Sequence, residues 1–206
     1  IANQNIAGGY DTTVYKLTSP FDLNTIRNDC TQDRFDLGTV AYRNDGTGPT
    51  DAVGWLNTVF GQLFDMEFSP SGHKIFIVNG VSYLMQFSLS TPFDLKTAKF
   101  DTWQDLSPNA GSVAFNRDGT KMFWLEGGGN DSADTTKVET YDLGSPFDIT
   151  SLTLVHTLDL SGTALNSASG NQASVDMNFN DTGSAFYILI DDAADRSRSA
   201  IYQFSL

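Results

Sequence analysis

The chain is poor in cysteine, histidine and basic residues, and each shortage removes a class of chemistry. Cys30 is the one cysteine among 206 residues, so no intrachain disulfide forms and no cysteine-based zinc site exists. Flanked by Asp29 and Thr31, it reads as a bystander thiol rather than a nucleophile. Two histidines, His73 and His156, lie 83 residues apart and match no metal motif. Twelve Lys and Arg face 25 Asp and Glu, a net charge of −13. That excess repels polyanions, because phosphate binding needs basic side chains to release counterions. Nucleic acid and anionic membrane are thereby excluded as expected partners. Mean hydropathy is −0.22, and no apolar run nears the roughly eighteen residues of a membrane span. No basic stretch followed by an apolar core marks a secretory leader. The first residue is Ile1 rather than Met, so either a leader was removed or the chain belongs to something longer.

What is present is a repeat. Residues 65–95, DMEFSPSGHKIFIVNGVSYLMQFSLSTPFDL, hold an alternating strand, a glycine turn, two further strands and a Pro-Phe-Asp-Leu signature. The turn recurs as Asn116-Arg117-Asp118-Gly119 and Asn180-Asp181-Thr182-Gly183. The signature recurs as Pro20-Phe21-Asp22-Leu23 and Pro146-Phe147-Asp148-Ile149. Strands are expected at 13–17, 34–42, 63–68, 74–78, 83–89, 100–106, 112–115, 121–126, 138–143, 153–160, 174–179, 185–190 and 200–206. Residues 1–9 read as an edge strand or tail. No stretch of ten residues has helical periodicity, so the class is all-β.

Spacing suggests the architecture. The turn glycines at 72, 119 and 183 are 47 and 64 residues apart. Four antiparallel strands in forty to fifty residues with variable loops fit a β-propeller blade, which must stack on its neighbours to bury both faces. One propeller-like domain over 1–206 is expected, with blade parts near 1–42, 62–106, 107–160 and 173–206 and an inserted, turn-rich loop at 43–61. Both ends offer a third strand, so three and a half to four blades do not close neatly. Unpaired edges are usually covered, and the ring is expected to be completed by another chain or by further sequence.

FSPSGHKIFIV, AFNRDGTKMFWL and MNFNDTGSAFYIL resemble the strand-turn-strand of WD-repeat-like and YVTN-type propellers. FSLSTPFDLKTA and YDLGSPFDITSL resemble a variant found in repeat regions of tailed-phage virion proteins and bacterial surface proteins. The resemblance covers roughly 10–206 without the insertion. It implies a propeller at a virion surface or outside the cell, but no particular activity, because propellers host scaffolds, lectins and enzymes alike.

The candidate residues are mostly acidic. Asp65 and Asp176 match in first strands, and the third copy has Ser112 or Val113 there. If first strands line a channel, Asp65, Glu67 and Asp176 meet as an acid/base pair or cation site, against the plainer reading of solvated carboxylates. Asp131 and Asp134, with Asp191, Asp192 and Asp195, sit in oxygen-rich loops that calcium would suit, though neither loop has EF-hand spacing. Asp22, Asp94 and Asp148 recur in the signature and are expected to cap the turn after the proline. Gly127-Gly128-Gly129 lacks the lysine and helix of a phosphate cradle. Trp55, in the insertion, is the candidate for holding a sugar ring; Trp124 is expected in the core and Trp103 in the packing of its blade. His73 and His156 read as an exposed turn substituent and a polar-face strand residue.

The preferred expectation is a non-enzymatic structural or adhesion module that binds a partner subunit or glycan and joins a larger assembly or homo-oligomer. No catalytic residue is assigned and no cofactor is required, with calcium the one candidate. The alternative is a secreted hydrolase or lyase using the channel carboxylates. A third reading is an intracellular protein-interaction platform.

Overall fold

The computed structural model describes residues 2–5, 9–13, 34–36, 63–79, 83–106, 110–126, 136–160, 172–192 and 199–205. They form four antiparallel sheets, each with its strands adjacent in chain order. The first holds β1 (Ala2–Asn5), β2 (Gly9–Thr13) and β3 (Arg34–Asp36). The second holds β4 (Leu63–Phe68), β5 (Lys74–Asn79), β6 (Tyr83–Leu89) and β7 (Ala98–Asp105). The third holds β8 (Ala110–Phe115), β9 (Lys121–Glu126), β10 (Lys137–Leu143) and β11 (Leu152–Asp159). The fourth holds β12 (Gln172–Phe179), β13 (Ala185–Asp192) and β14 (Ala200–Ser205). We call the last three sheets units one, two and three. The all-β class is as the periodicity implied; the helical residues described are two short 3-10 turns, Leu95–Thr97 and Ile149–Ser151.

Strand positions follow the sequence closely in the units and less so at the N-terminus. β2 begins at Gly9, four residues before the strand expected at 13–17, and 14–17 lie outside the described residues, as do 37–42. The insertion at 43–61, with Trp55, also lies outside them. β7 starts at Ala98 rather than at Phe100.

The three turn glycines are left-handed, at φ 70° for Gly72, 71° for Gly119 and 69° for Gly183. Each hairpin asks this conformation of the turn residue two positions before its second strand, and glycine takes it without steric cost. Phe93 and Phe147 of the signatures are left-handed too, at φ 59° and 56°, which costs an L-residue energy that the surroundings must return. They do so in two ways. The N–H of Phe93 bonds the Gly72 carbonyl and that of Phe147 bonds the Gly119 carbonyl, both at 2.9 Å. Each ring also lies against its glycine, in the space a Cβ would take. Asp94 and Asp148 then cap the 3-10 turns, accepting from the N–H of Lys96 and of Thr150. That is the repeated structural role expected for the signature aspartates, seen at Asp94 and Asp148, with Asp22 outside the described residues, and hydrogen bonds from Thr150 hold the Asp148 carboxyl below its ordinary pKa.

Packing joins the units in series. Phe76, Val78 and Leu84 of unit one share a core with Val113, Met122, Trp124, Tyr141 and Ile149 of unit two. Leu125 and Val138 of unit two share the next with Met177, Phe186, Ile188 and Ile190 of unit three. Full burial of each such side chain contributes about 1.5–3 kcal/mol. Polar bonds fasten the same joint. Gln86, buried on β6, accepts from the Ile149 N–H at 3.0 Å, and Lys74 Nζ donates to the Phe147 carbonyl at 2.8 Å. Trp103, 38% exposed, packs within its own sheet, meeting Tyr83 edge-on at 4.9 Å. β4 lies beside β8 and β8 beside β12, so the first strands stand in a row. Closure of that row into a ring is not among the described contacts.

Candidate functional site

The first strands share a local irregularity that decides where their polar residues go. β4 carries an extra residue between Leu63 and Asp65, β8 between Ala110 and Ser112, and β12 between Ser174 and Asp176. A one-residue bulge re-aims the side chain that follows it. Asp65, Ser112 and Asp176 therefore hold one position in three successive strands, and Glu67, Ala114 and Asn178 hold the next position on the same face.

The bulged position is stitched across units. Asp65 Oδ1 accepts from the Met66 N–H at 2.7 Å. Asp65 Oδ2 accepts from the Val113 N–H at 2.9 Å and from the Ser112 hydroxyl at 2.7 Å. The same hydroxyl lies 3.4 Å from Asp176 Oδ1. It has one hydrogen to give, and the shorter contact to Asp65 takes it. Asp176 Oδ2 receives a long bond from Asn178 Nδ2, 3.5 Å. Burial pushes the Asp65 carboxyl above its ordinary pKa, bonds from Ser112, Val113 and Met66 oppose that, and the Asp176 charge adds to it.

Glu67 is the uncommitted carboxyl. It forms no hydrogen bond or ion pair among the described residues. Burial raises its pKa to about 7, helped by the charges of Asp65 and then Asp176. It opens into a cleft of about 1090 Å³ shared by units two and three. Phe115, Phe123 and Phe179 line the cleft with Asn116, Asn178 and Asn180, and the Phe123 and Phe179 rings meet at 4.4 Å. Asn116 and Asn180 spend their amides closing their own turns, on the N–H of Lys121 and of Ala185. Asn178 is exposed and Arg117 has no ion pair among the described residues. With Glu67 and the exposed Asp181, which also lines the cleft and forms no hydrogen bond or ion pair among the described residues, these are the polar groups left to meet a ligand.

The folded protein holds a proton on Glu67 that the unfolded chain releases as pH rises from 4.5 towards 7. Stability from this group is therefore greatest below pH 4.5 and falls as pH rises to 7. Glu67→Gln removes the loss. The variant should match the parent near pH 4 and exceed it by about 1–2 kcal/mol near pH 8, a figure discounted because the side chain is partly exposed. Urea unfolding at both pH values checks this, and a difference independent of pH would contradict it.

Of the residues the sequence singled out, the structure brings Asp65 and Asp176 to one hydroxyl with Glu67 two positions along β4. Among the described residues no three His, Cys, Asp or Glu side chains are placed to hold a metal ion. Asp131, Asp134 and Asp195 lie outside the described residues, and Asp191 and Asp192 are described only as the backbone end of β13. His73 is exposed and its Nδ1 lies 2.9 Å from the Leu89 carbonyl; His156 is exposed on β11. Sequence reasoning did not assign Ser112 a role, although its alignment with Asp65 and Asp176 was the available signal. It also missed the asparagine and phenylalanine lining, of which Phe115 and Phe179 follow the same register three residues on and Asn116 and Asn180 four residues on.

No protein-family model matches the chain and no curated protein matches it. Solved structures do. A functionally unknown protein from Desulfotomaculum acetoxidans is 15% identical over 70% of this chain and 39% of that one, with TM-score 0.47. A protein from Lactobacillus plantarum is 10% identical over 70% and 37%, with TM-score 0.49. A proposed 6-phosphogluconolactonase from Bacteroides fragilis is 9% identical over 100% and 54%, with TM-score 0.51. The chain thus spans about half or less of the length of these proteins. At such identities the likeness of the third is one of fold alone, and it supports a β-rich architecture for this chain.

Proposed function

We propose that the chain is a non-enzymatic binding module of the β-propeller kind, its sheets acting as blades, and that its cleft holds a neutral glycan. One observation carries the reading. Asp65, the best-placed partner for acid/base work with Glu67, is engaged at both oxygens by two backbone N–H groups and the Ser112 hydroxyl. A carboxylate bound this way ties β4 to β8 and is poorly free to accept a substrate proton. The rest of the cleft suits a sugar: half-buried phenylalanine rings for its apolar face, and the Asn178 amide and Glu67 carboxyl for its hydroxyls. The charge of −13 disfavours an anionic ligand. Placement on a virion or cell surface rests on the resemblance of the Pro-Phe-Asp signature.

The alternative, a secreted hydrolase or lyase, is favoured by the Glu67 pKa of about 7, which suits a general acid at neutral pH. One pair of variants separates the readings on a glycan array. Loss of the Asn178 hydrogen bonds in Asn178→Ala should weaken binding about three- to tenfold. Glu67→Gln keeps hydrogen-bonding capacity and should still bind. No binding by the parent to any glycan would leave only a scaffold role, and turnover abolished by Glu67→Gln would establish the enzyme.

A further inference from the structure

The three turn glycines share one conformation, and two of them carry a phenylalanine ring. The Phe93 ring lies in the space of a Cβ on Gly72, and the Phe147 ring in that of a Cβ on Gly119. Each phenylalanine also donates its backbone N–H to the carbonyl of its glycine at 2.9 Å. The second ring has two aromatic neighbours. Phe147 sits 5.6 Å from Phe115 of its own unit and 6.5 Å from Phe76 of the unit before. Phe76 and Phe115 themselves meet at 4.3 Å. A glycine backbone and two rings, one from each of two adjacent units, thus make a seat for a six-membered ring.

Unit three repeats the seat and leaves it open. Gly183 has the same turn conformation, at φ 69°. Phe179 stands where Phe115 stands and Phe123 where Phe76 stands, and these two rings meet at 4.4 Å. Gly72 and Gly119 are buried, yet Gly183 is exposed. Among the described residues nothing lies within 4 Å of its Cβ position, and no backbone N–H reaches its carbonyl. Phe123, Phe179 and Gly183 line the cleft together, so the open seat is part of it. The rim there offers acceptors: the Gly183 carbonyl and the exposed Asp181 carboxylate.

We propose that one pyranose ring of the bound glycan takes this seat, an assignment that rests on the glycan reading of the cleft and specifies the sugar it selects. The C–H bonds of the ring meet the faces of Phe123 and Phe179 and the Gly183 backbone, and its hydroxyls donate to the Gly183 carbonyl and to Asp181. The walls are apolar and the acceptors lie at the edge. A pyranose whose hydroxyls are all equatorial satisfies both, because those hydroxyls radiate from the ring edge. An axial hydroxyl points into a wall and goes unpaired there, which is costly. The sugar is therefore gluco-configured. A purely aromatic ligand would fill the seat and leave its acceptors unused.

Isothermal titration calorimetry of the full chain tests this with two probes, cellotetraose and the β-linked mannose tetramer, whose 2-hydroxyls are axial. The parent should bind cellotetraose at least about tenfold more tightly than the mannose tetramer. Gly183→Asn fills the seat with a side chain that tolerates the left-handed conformation, so the variant should fold like the parent by circular dichroism. Its binding of cellotetraose should fall at least about tenfold. Asp181→Ala, at an exposed position, should weaken binding about three- to tenfold without moving the unfolding midpoint, and it decides the matter if Gly183→Asn does not fold. Binding of cellotetraose by Gly183→Asn as tight as the parent's, or a parent that retains other glycans but does not prefer cellotetraose, would overturn the seat and leave the cleft a glycan site. A parent that binds neither tetramer nor any arrayed glycan would overturn both.

Discussion

Gly119→Ala should destabilise the protein by about 2–5 kcal/mol, whereas Gly183→Ala should cost only about 1–2. Both glycines sit at the same place in the same turn, at φ 71° and 69°, so both substitutions force an L-residue into the left-handed region at roughly 1–2 kcal/mol. The surroundings differ. A Cβ on Gly119 would stand 2.2 Å from the Phe147 ring, while one on Gly183 meets nothing within 4 Å. Overpacking adds about 1–3 kcal/mol, and here it displaces the ring of a residue whose left-handed backbone is held by bonds to Gly119 and Lys74 and whose ring packs on Phe115. The matched pair isolates the contact between turn and signature from the backbone term. Chemical denaturation of both variants reads the difference, and equal losses would mean that Phe147 yields freely and the signature does not brace the turn.

Trp124→Ala should cost about 3–5 kcal/mol, the usual range for emptying a large buried aromatic site. Trp124 is at 0% exposure in the core that units one and two share. Loss there weakens the joint between units as well as unit two itself. Trp124→Phe should cost far less, on the order of 1 kcal/mol. The indole Nε1 is a buried polar atom with no hydrogen-bond partner among the described residues, so removing it relieves a desolvation cost that partly offsets the smaller ring. A Phe variant as unstable as the Ala variant would show that the indole nitrogen is satisfied after all.

Much of this fold is legible in local sequence because its devices are local. A glycine before a second strand needs positive φ, a signature aspartate two residues before an N–H caps it, and alternation marks which side of a strand is buried. Trp124 was readable as core because it replaces Ile77 in an aligned strand. What was not legible depends on where separate sheets meet. That Ser112 would hand its hydroxyl to Asp65 requires knowing that all three first strands bulge at one position, and a bulge leaves no composition behind. That phenylalanine would be left-handed at 93 and 147 runs against its intrinsic preference; the force is a glycine brought near by the sheet. Gln86 looked like any strand polar residue until the next unit's turn was seen against it.

The Glu67 pKa and the stitched Asp65 point in different chemical directions, and we propose that the cleft binds a sugar without cleaving it. The most direct measurement incubates the full chain with each oligosaccharide that it retains on an array, from pH 5 to 8, and weighs the sugar afterwards by mass spectrometry. Every bound sugar should be recovered intact across that range. A mass change of one water gained, or an unsaturated product of elimination, would contradict it, and its loss in Glu67→Gln would assign the chemistry to that carboxyl.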